Sequence, residues 1–231
     1  MMKAADVMVT NVIAVGPDAC VQDVARILLN SRISAVPVVG SDGKLLGMVS
    51  EGDLMRRAEA GTGRRRPWWL EIFTGREVLA SEFIKEHSRR IADVMTRNVV
   101  TAAPDTPLST IANLLERNAI KRVPIVEDGK VVGIVSRANL LQALASASNQ
   151  KQAATPIDDS KIREKVLSQL KAEPWTRPYL INVIVQDGAV ELWGIVDSVS
   201  EKKAVRVAAE VTPGVRAVND NLIIRPAESG S

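Results

Sequence analysis

Residues 5–39, ADVMVTNVIAVGPDACVQDVARILLNSRISAVPVV, recur as residues 92–126, ADVMTRNVVTAAPDTPLSTIANLLERNAIKRVPIV, at an offset of 87 residues. Farther on, GKLLGMVSEGDLM from Gly43 aligns with GKVVGIVSRANLL from Gly129 after a one-residue deletion in the turn. The two blocks together share 20 identities in 48 aligned positions. Self-similarity of this kind marks two copies of one structural unit. Two copies are too few for a solenoid, and each is too short to bury its core well alone. They are therefore expected to pack together about a pseudo-twofold axis.

Each copy reads the same way. A short apolar strand at Val12 to Val15 (Val99 to Ala102) is followed by Pro-Asp and a helix with Val21, Val24, Ile27 and Leu28 on one face. In the second copy that face carries Leu108, Ile111, Leu114 and Leu115, the spacing of a half-buried helix. Strands follow at Val36 to Val39 and Lys44 to Ser50, joined through Ser41-Asp42-Gly43, a hairpin composition, and a second helix opens near Glu51.

The 231 residues are 46% hydrophobic and 25% charged, the composition of a folded globular chain rather than a disordered one. No apolar stretch approaches the roughly 18 to 20 residues that span a bilayer. The N-terminus, Met1-Met2-Lys3-Ala4-Ala5-Asp6, lacks the apolar run of a signal peptide, so a cytoplasmic location is expected. The single cysteine, Cys20, excludes an intramolecular disulfide and a Cys-rich zinc site. The single histidine, His87, stands among Lys85, Glu86, Ser88 and Arg89, a poor setting for a His-centred triad. With no Gly-rich phosphate loop, no paired metal ligands and no activated nucleophile, the chain reads as a non-enzyme that requires no cofactor.

The Ala-Asp-Val-Met opening, the Val-Pro-Val-Val strand, the Gly-x-Val-Ser turn and the following Asp53-Leu54 resemble the cystathionine-β-synthase (CBS) domain, present as a tandem pair. The resemblance covers nearly the whole of both copies. It implies a disc-like pair, the Bateman module, which binds adenine nucleotides or related ligands in clefts between the repeats. The fold class expected is α/β (α+β): two CBS repeats as a pseudo-twofold pair, with a small αββαβ domain beyond them.

An adenosine nucleotide needs an apolar slot for its base, a carboxylate or amide for the ribose hydroxyls, and cations or N–H groups for phosphate. Ser50, at a strand end, and Asp53, in the first turn of the next helix, have the spacing to face one crevice, and the family's ribose-binding acid falls on Asp53. The second copy keeps Ser136 but has Asn139 for the acid, so the two sites are not expected to be equivalent. Lys121 and Arg122 precede Val123-Pro124, where related modules direct basic side chains at phosphate; the first copy has Ser34 and Ala35 there. Ile13, Thr101, Val36 and Val123 are candidates for lining base slots. Each role has a structural alternative: Asp53 as a helix-capping carboxylate, Lys121 and Arg122 as a solvated strand edge, and the apolar residues as core.

The expected organisation is repeat 1 at 1–58, an insert at 59–91, repeat 2 at 92–147, a linker at 148–157, a C-terminal domain at 158–226 and a tail at 227–231. The insert joins Arg64, Arg65 and Arg66 to Trp68 and Trp69, with a short helix expected from Val78 to His87. Packing of its tryptophans against the repeats or a partner is favoured over nucleic-acid or membrane binding. In the last domain, Asp158-Asp159-Ser160 opens a helix, Gln186-Asp187-Gly188 makes a hairpin, and a helix from Ser200 to Val211 precedes a strand from Ala217 to Ile224. That order, with Leu192-Trp193-Gly194-Ile195-Val196 and the Pro213 to Val218 turn and strand, resembles the BON domain, a family associated with membrane or envelope binding. The whole is expected to be a regulatory sensor of an adenine nucleotide (AMP, ADP, ATP or a related adenosyl ligand). A homodimer formed through CBS helices, and an output module that meets a protein partner or a surface, complete the expectation.

Overall fold

The structure is a computed structural model that describes residues 2–55, 89–147 and 158–225. Arg64 to Arg66, Trp68 and Trp69 of the insert, its expected helix and the linker at 148–157 lie outside the described residues. The chain divides into two compact units, Ile13–Val100 with Asp128–Val131, and Met1–Val12 with Thr101–Glu127 and Val132–Ser231.

The unit built on the first repeat holds helix α2 (Val21–Asn30), strands β1 (Ala35–Val39) and β2 (Leu45–Ser50), and the short helices α3 (Glu51–Leu54) and α4 (Ile91–Val94); α1 (Ala4–Val7) lies in the other unit. Helix α2 buries Val21, Val24 and Leu28, one stripe at helical spacing. Against that stripe pack Val36, Val38 and Val49 of the antiparallel hairpin, with Ile91, Val94 and Met95. In the other unit, α5 (Leu108–Arg117), β3 (Arg122–Glu127), β4 (Lys130–Ser136, from Val132 on) and α6 (Arg137–Ala147) repeat the arrangement. Their core of Ile111, Leu115, Val123, Ile125 and Val135 is closed by Ala4, Val7 and Met8.

The Ala-Asp-Val-Met segments thus each complete the core of the opposite copy. Met8 lies over Gly133, where a Cβ would meet its side chain, and Met95 lies over Gly47 in the same way. This explains why the Gly-x-Val-Ser motif needs its glycine: a methionine from the other copy occupies the place of the side chain.

The strands expected at Val12 to Val15 and Val99 to Ala102 are not formed; each segment makes one parallel bridge, Val15 with Val38 and Ala102 with Ile125. Val15 donates to the Pro37 carbonyl and accepts from Val39 N–H, and Ala102 does the same with Pro124 and Val126. The next rung of a parallel ladder would need an N–H from Pro37 or Pro124. Proline has none, so the ladder stops after one rung.

The C-terminal module comprises α7 (Asp159–Ala172), β5 (Ile181–Gln186), β6 (Ala189–Val196), α8 (Val199–Glu210) and β7 (Ala217–Ile224). Its sheet has the order β5-β6-β7, with β5 and β6 antiparallel and β6 and β7 parallel. Asp158 caps α7, accepting from Lys161 N–H at 3.2 Å. Asp159 serves the hairpin turn instead, accepting from Asp187 N–H at 2.7 Å and Gly188 N–H at 2.8 Å. Both turn residues have positive φ, 50° and 77°, the geometry of a type I′ turn.

Strand β5 is buried on both faces. Ile181, Val183 and Val185 enter the module's own core, whereas Ile184, with Trp193 of β6 beside that face, joins the core of the second repeat. The buried Arg163 of α7 ties the same surfaces together, donating from Nε to the Val183 carbonyl at 2.7 Å and from Nη2 to the Met8 carbonyl at 2.6 Å. Burial pulls its pKa down to about 10, against the Coulombic pull of Asp6.

Candidate functional site

In both copies the second hairpin strand runs directly into a helix, which leaves the first helical N–H groups without partners inside the helix. Ser50 ends β2 in extended conformation, and Asp53 stands in the first turn of α3. Oδ2 of Asp53 accepts from Ser50 N–H at 2.8 Å and from the Ser50 hydroxyl at 2.7 Å. The same junction abuts the entrance of β1, since Glu51 N–H donates to the Ser34 carbonyl at 3.0 Å and Ala35 pairs with Ser50.

The second copy reproduces this wall. Oδ1 of Asn139 accepts from Ser136 N–H at 2.8 Å and from its hydroxyl at 2.7 Å, and Arg137 N–H donates to the Lys121 carbonyl at 3.2 Å. Lys121 and Arg122 therefore adjoin Ser136 and Asn139, with Lys121 exposed and Arg122 half-buried. The copies then diverge. Asp53 is half-buried, while Asn139 is only 5% exposed and its Nδ2 donates to Gln142 Oε1 at 3.2 Å.

The remaining candidates fall in different settings. Ile13 is half-buried at the edge of the first-repeat core, and Thr101 is exposed. Val36 and Val123 have no exposed surface and stand inside the two cores. Among the described residues no three of His, Cys, Asp and Glu gather as metal ligands, and no helix is long and apolar enough to cross a membrane.

Sequence reading did not find the contacts that join the second junction to the C-terminal module. Gln142 Oε1, which accepts from Asn139, also accepts from Asn182 Nδ2 of β5 at 2.7 Å. One signal was present: Ile181-Asn182-Val183-Ile184-Val185 lacks the alternation of a strand with one wet face, as a strand buried on both faces does.

The CBS domain pattern matches residues 4–60 and 91–146, and the BON domain pattern matches residues 158–226. The protein MJ1426 of Methanocaldococcus jannaschii is 35% identical over 133 residues, which are 53% of this chain and 79% of that protein. The chloroplastic CBS domain-containing protein CBSX1 of Arabidopsis thaliana is 31% identical over 139 residues, 56% of this chain and 57% of its own length. Among solved structures, that of CBSX2 in complex with AMP superposes with a TM-score of 0.55 at 26% identity, covering 63% of this chain and 98% of that one. The chain belongs to the CBS-domain family, with a tandem pair of repeats followed by a BON domain, and both families are regulatory rather than catalytic.

Proposed function

We propose that this protein is a cytoplasmic regulatory sensor whose CBS repeats bind an adenosyl ligand, with AMP the first candidate, and whose BON module is the output. The observation that carries the reading is the repeated Ser-x-x-Asp/Asn junction, Ser50 with Asp53 and Ser136 with Asn139, set beside a strand entrance in each copy. The AMP complex of the 26% identical CBSX2 supports the choice of ligand. In the first copy the Asp53 carboxylate receives the ribose hydroxyls through the oxygen that Ser50 leaves available. In the second, Lys121 and Arg122 stand where a phosphate is neutralised.

Calorimetric titration of the full chain with AMP, ADP, ATP and S-adenosylmethionine tests this. Micromolar binding of at least one, with a matching rise in Tm, is expected. No heat and no shift with any of them sinks the nucleotide reading and leaves the repeats as scaffolding.

The pair also forms a homodimer through its helices. Leu29 of α2 is 76% exposed and Leu141 of α6 is 66% exposed, apolar surface of the kind that a second copy covers. Light scattering should give twice the chain mass for wild type and the single mass for Leu141→Glu; a wild-type monomer at micromolar concentration refutes the dimer.

A further inference from the structure

We infer that the second strand–helix junction and the docking of the BON module are antagonistic, coupled through the relay Asn139–Gln142–Asn182; this rests on the nucleotide reading above. Both lone pairs of Asn139 Oδ1 are taken by Ser136, at 2.8 and 2.7 Å, and its Nδ2 is held by Gln142. Gln142 Oε1 is itself filled, receiving Asn139 at 3.2 Å and Asn182 at 2.7 Å. An amide so engaged has no acceptor for a ribose hydroxyl. A ligand whose ribose hydroxyl donates to Asn139 must turn it, which takes its donor from Gln142 and frees Gln142 from the orientation in which it holds Asn182.

In the first copy the position equivalent to Gln142 is Arg56, a side chain with no acceptor for an amide N–H. Coupling to the module is therefore a property of the second junction.

The contact on the module side is built to open. Asn182 is 4% exposed and faces the second repeat beside Ile184, where an apolar residue would dock without the cost of burying an amide. Its Oδ1, and Nε1 of Trp193, its direct partner across β5 and β6, are buried with no hydrogen-bond partner among the described residues. Water satisfies both atoms once the surfaces part, so separation recovers hydrogen bonds that docking forgoes. Linkage is reciprocal: if ligand loosens the module, docking weakens ligand to the same degree.

The experiment uses the full chain, calorimetry with AMP, and hydrogen–deuterium exchange across Ile181–Gln186. AMP at saturation should speed exchange in β5. Gln142→Ala, which releases Asn139, should bind AMP roughly threefold to tenfold more tightly, the equivalent of one neutral hydrogen bond. AMP binding to wild type with the same affinity in Gln142→Ala and unchanged β5 exchange overturns the coupling. In the nucleotide-free chain, Asn139→Ala and the less buried Gln142→Ala read the relay alone. Faster β5 exchange with α5 unchanged supports it, and unchanged β5 exchange in both variants overturns it whatever AMP does. Failure of wild type to bind any adenosyl ligand refutes the nucleotide reading separately.

Discussion

Asp53 can be tested against a control that the chain itself supplies. Its Oδ2 accepts two hydrogen bonds from Ser50, and Asn139 accepts the same two from Ser136 at the same 2.8 and 2.7 Å. Asp53→Asn should therefore keep the junction, losing only the favourable charge at the start of the helix, about 0.3–1 kcal/mol of stability. Asp53→Ala removes both acceptors and should cost about 1–2 kcal/mol. Ligand affinity separates differently. A hydroxyl donating to a carboxylate contributes about 1.5–3 kcal/mol, whereas an asparagine whose Oδ1 holds both Ser50 bonds has no acceptor left for it. Asp53→Asn and Asp53→Ala should then each raise the Kd for AMP by roughly 12- to 150-fold. Calorimetry gives the affinities, and urea denaturation of the same samples gives the stabilities. Equal Kd values in all three proteins would refute the ribose assignment. Asp53→Asn as destabilised as Asp53→Ala would refute the equivalence of the two junctions.

Three further outcomes follow from the packing. Arg163→Met leaves the Met8 and Val183 carbonyls buried without donors and should cost about 2–4 kcal/mol in urea denaturation; Arg163→Lys should not restore it, since one ammonium cannot reproduce the guanidinium fork. A loss under about 0.5 kcal/mol in Arg163→Met would show that these bonds do not hold the module. Gly194 has φ +137°, and a Cβ there would run into the Leu180 carbonyl, so Gly194→Ala should lower Tm by about 10 °C or more; a shift within 2 °C would contradict that geometry. Asp158 is held at a pKa of about 2, first by its hydrogen bonds to the side chains of Lys161 and Ser160 and next by the Lys161 N–H. A folded pKa below the unfolded value of 3.8 adds stability that is complete above that value and fades as pH falls toward 2. The Tm gap between wild type and Asp158→Ala should accordingly shrink across that window, and a gap independent of pH would count against the cap.

Much of the architecture was legible because it rests on local signals. The repeat placed two like units, helical spacing found α2 and α5, and Asp-Gly found the turn between β5 and β6. The missing strands at Val12 to Val15 and Val99 to Ala102 turned on Pro37 and Pro124, whose effect falls on a neighbour more than twenty residues away in the chain. Apolar content alone does not show that. The exchange of Ala-Asp-Val-Met segments escaped for a related reason: the apolar residues of a tetrapeptide announce burial but not against which core. At the junctions, the meeting of Ser50 with Asp53 and of Ser136 with Asn139 followed from their spacing, whereas the complete burial of Val36 and Val123 did not follow from apolar content alone. Gln142 and Asn182 gave no signal as a pair, because a contact across 40 residues leaves no period in the sequence.

The exchanged segments also set the order in which this protein matures during synthesis. The first repeat cannot close its core until Ile91, Val94 and Met95 have left the ribosome, and Met8 waits for Gly133 and Val135. At ordinary elongation rates that delay is a matter of seconds to tens of seconds. During it, residues 2–8 are an unsheltered apolar end, and a nascent chain released before residue 91 has neither core complete. Splitting the gene between the copies would yield fragments that need each other, so complementation between separately expressed halves, not independent folding, is the behaviour built into this connectivity.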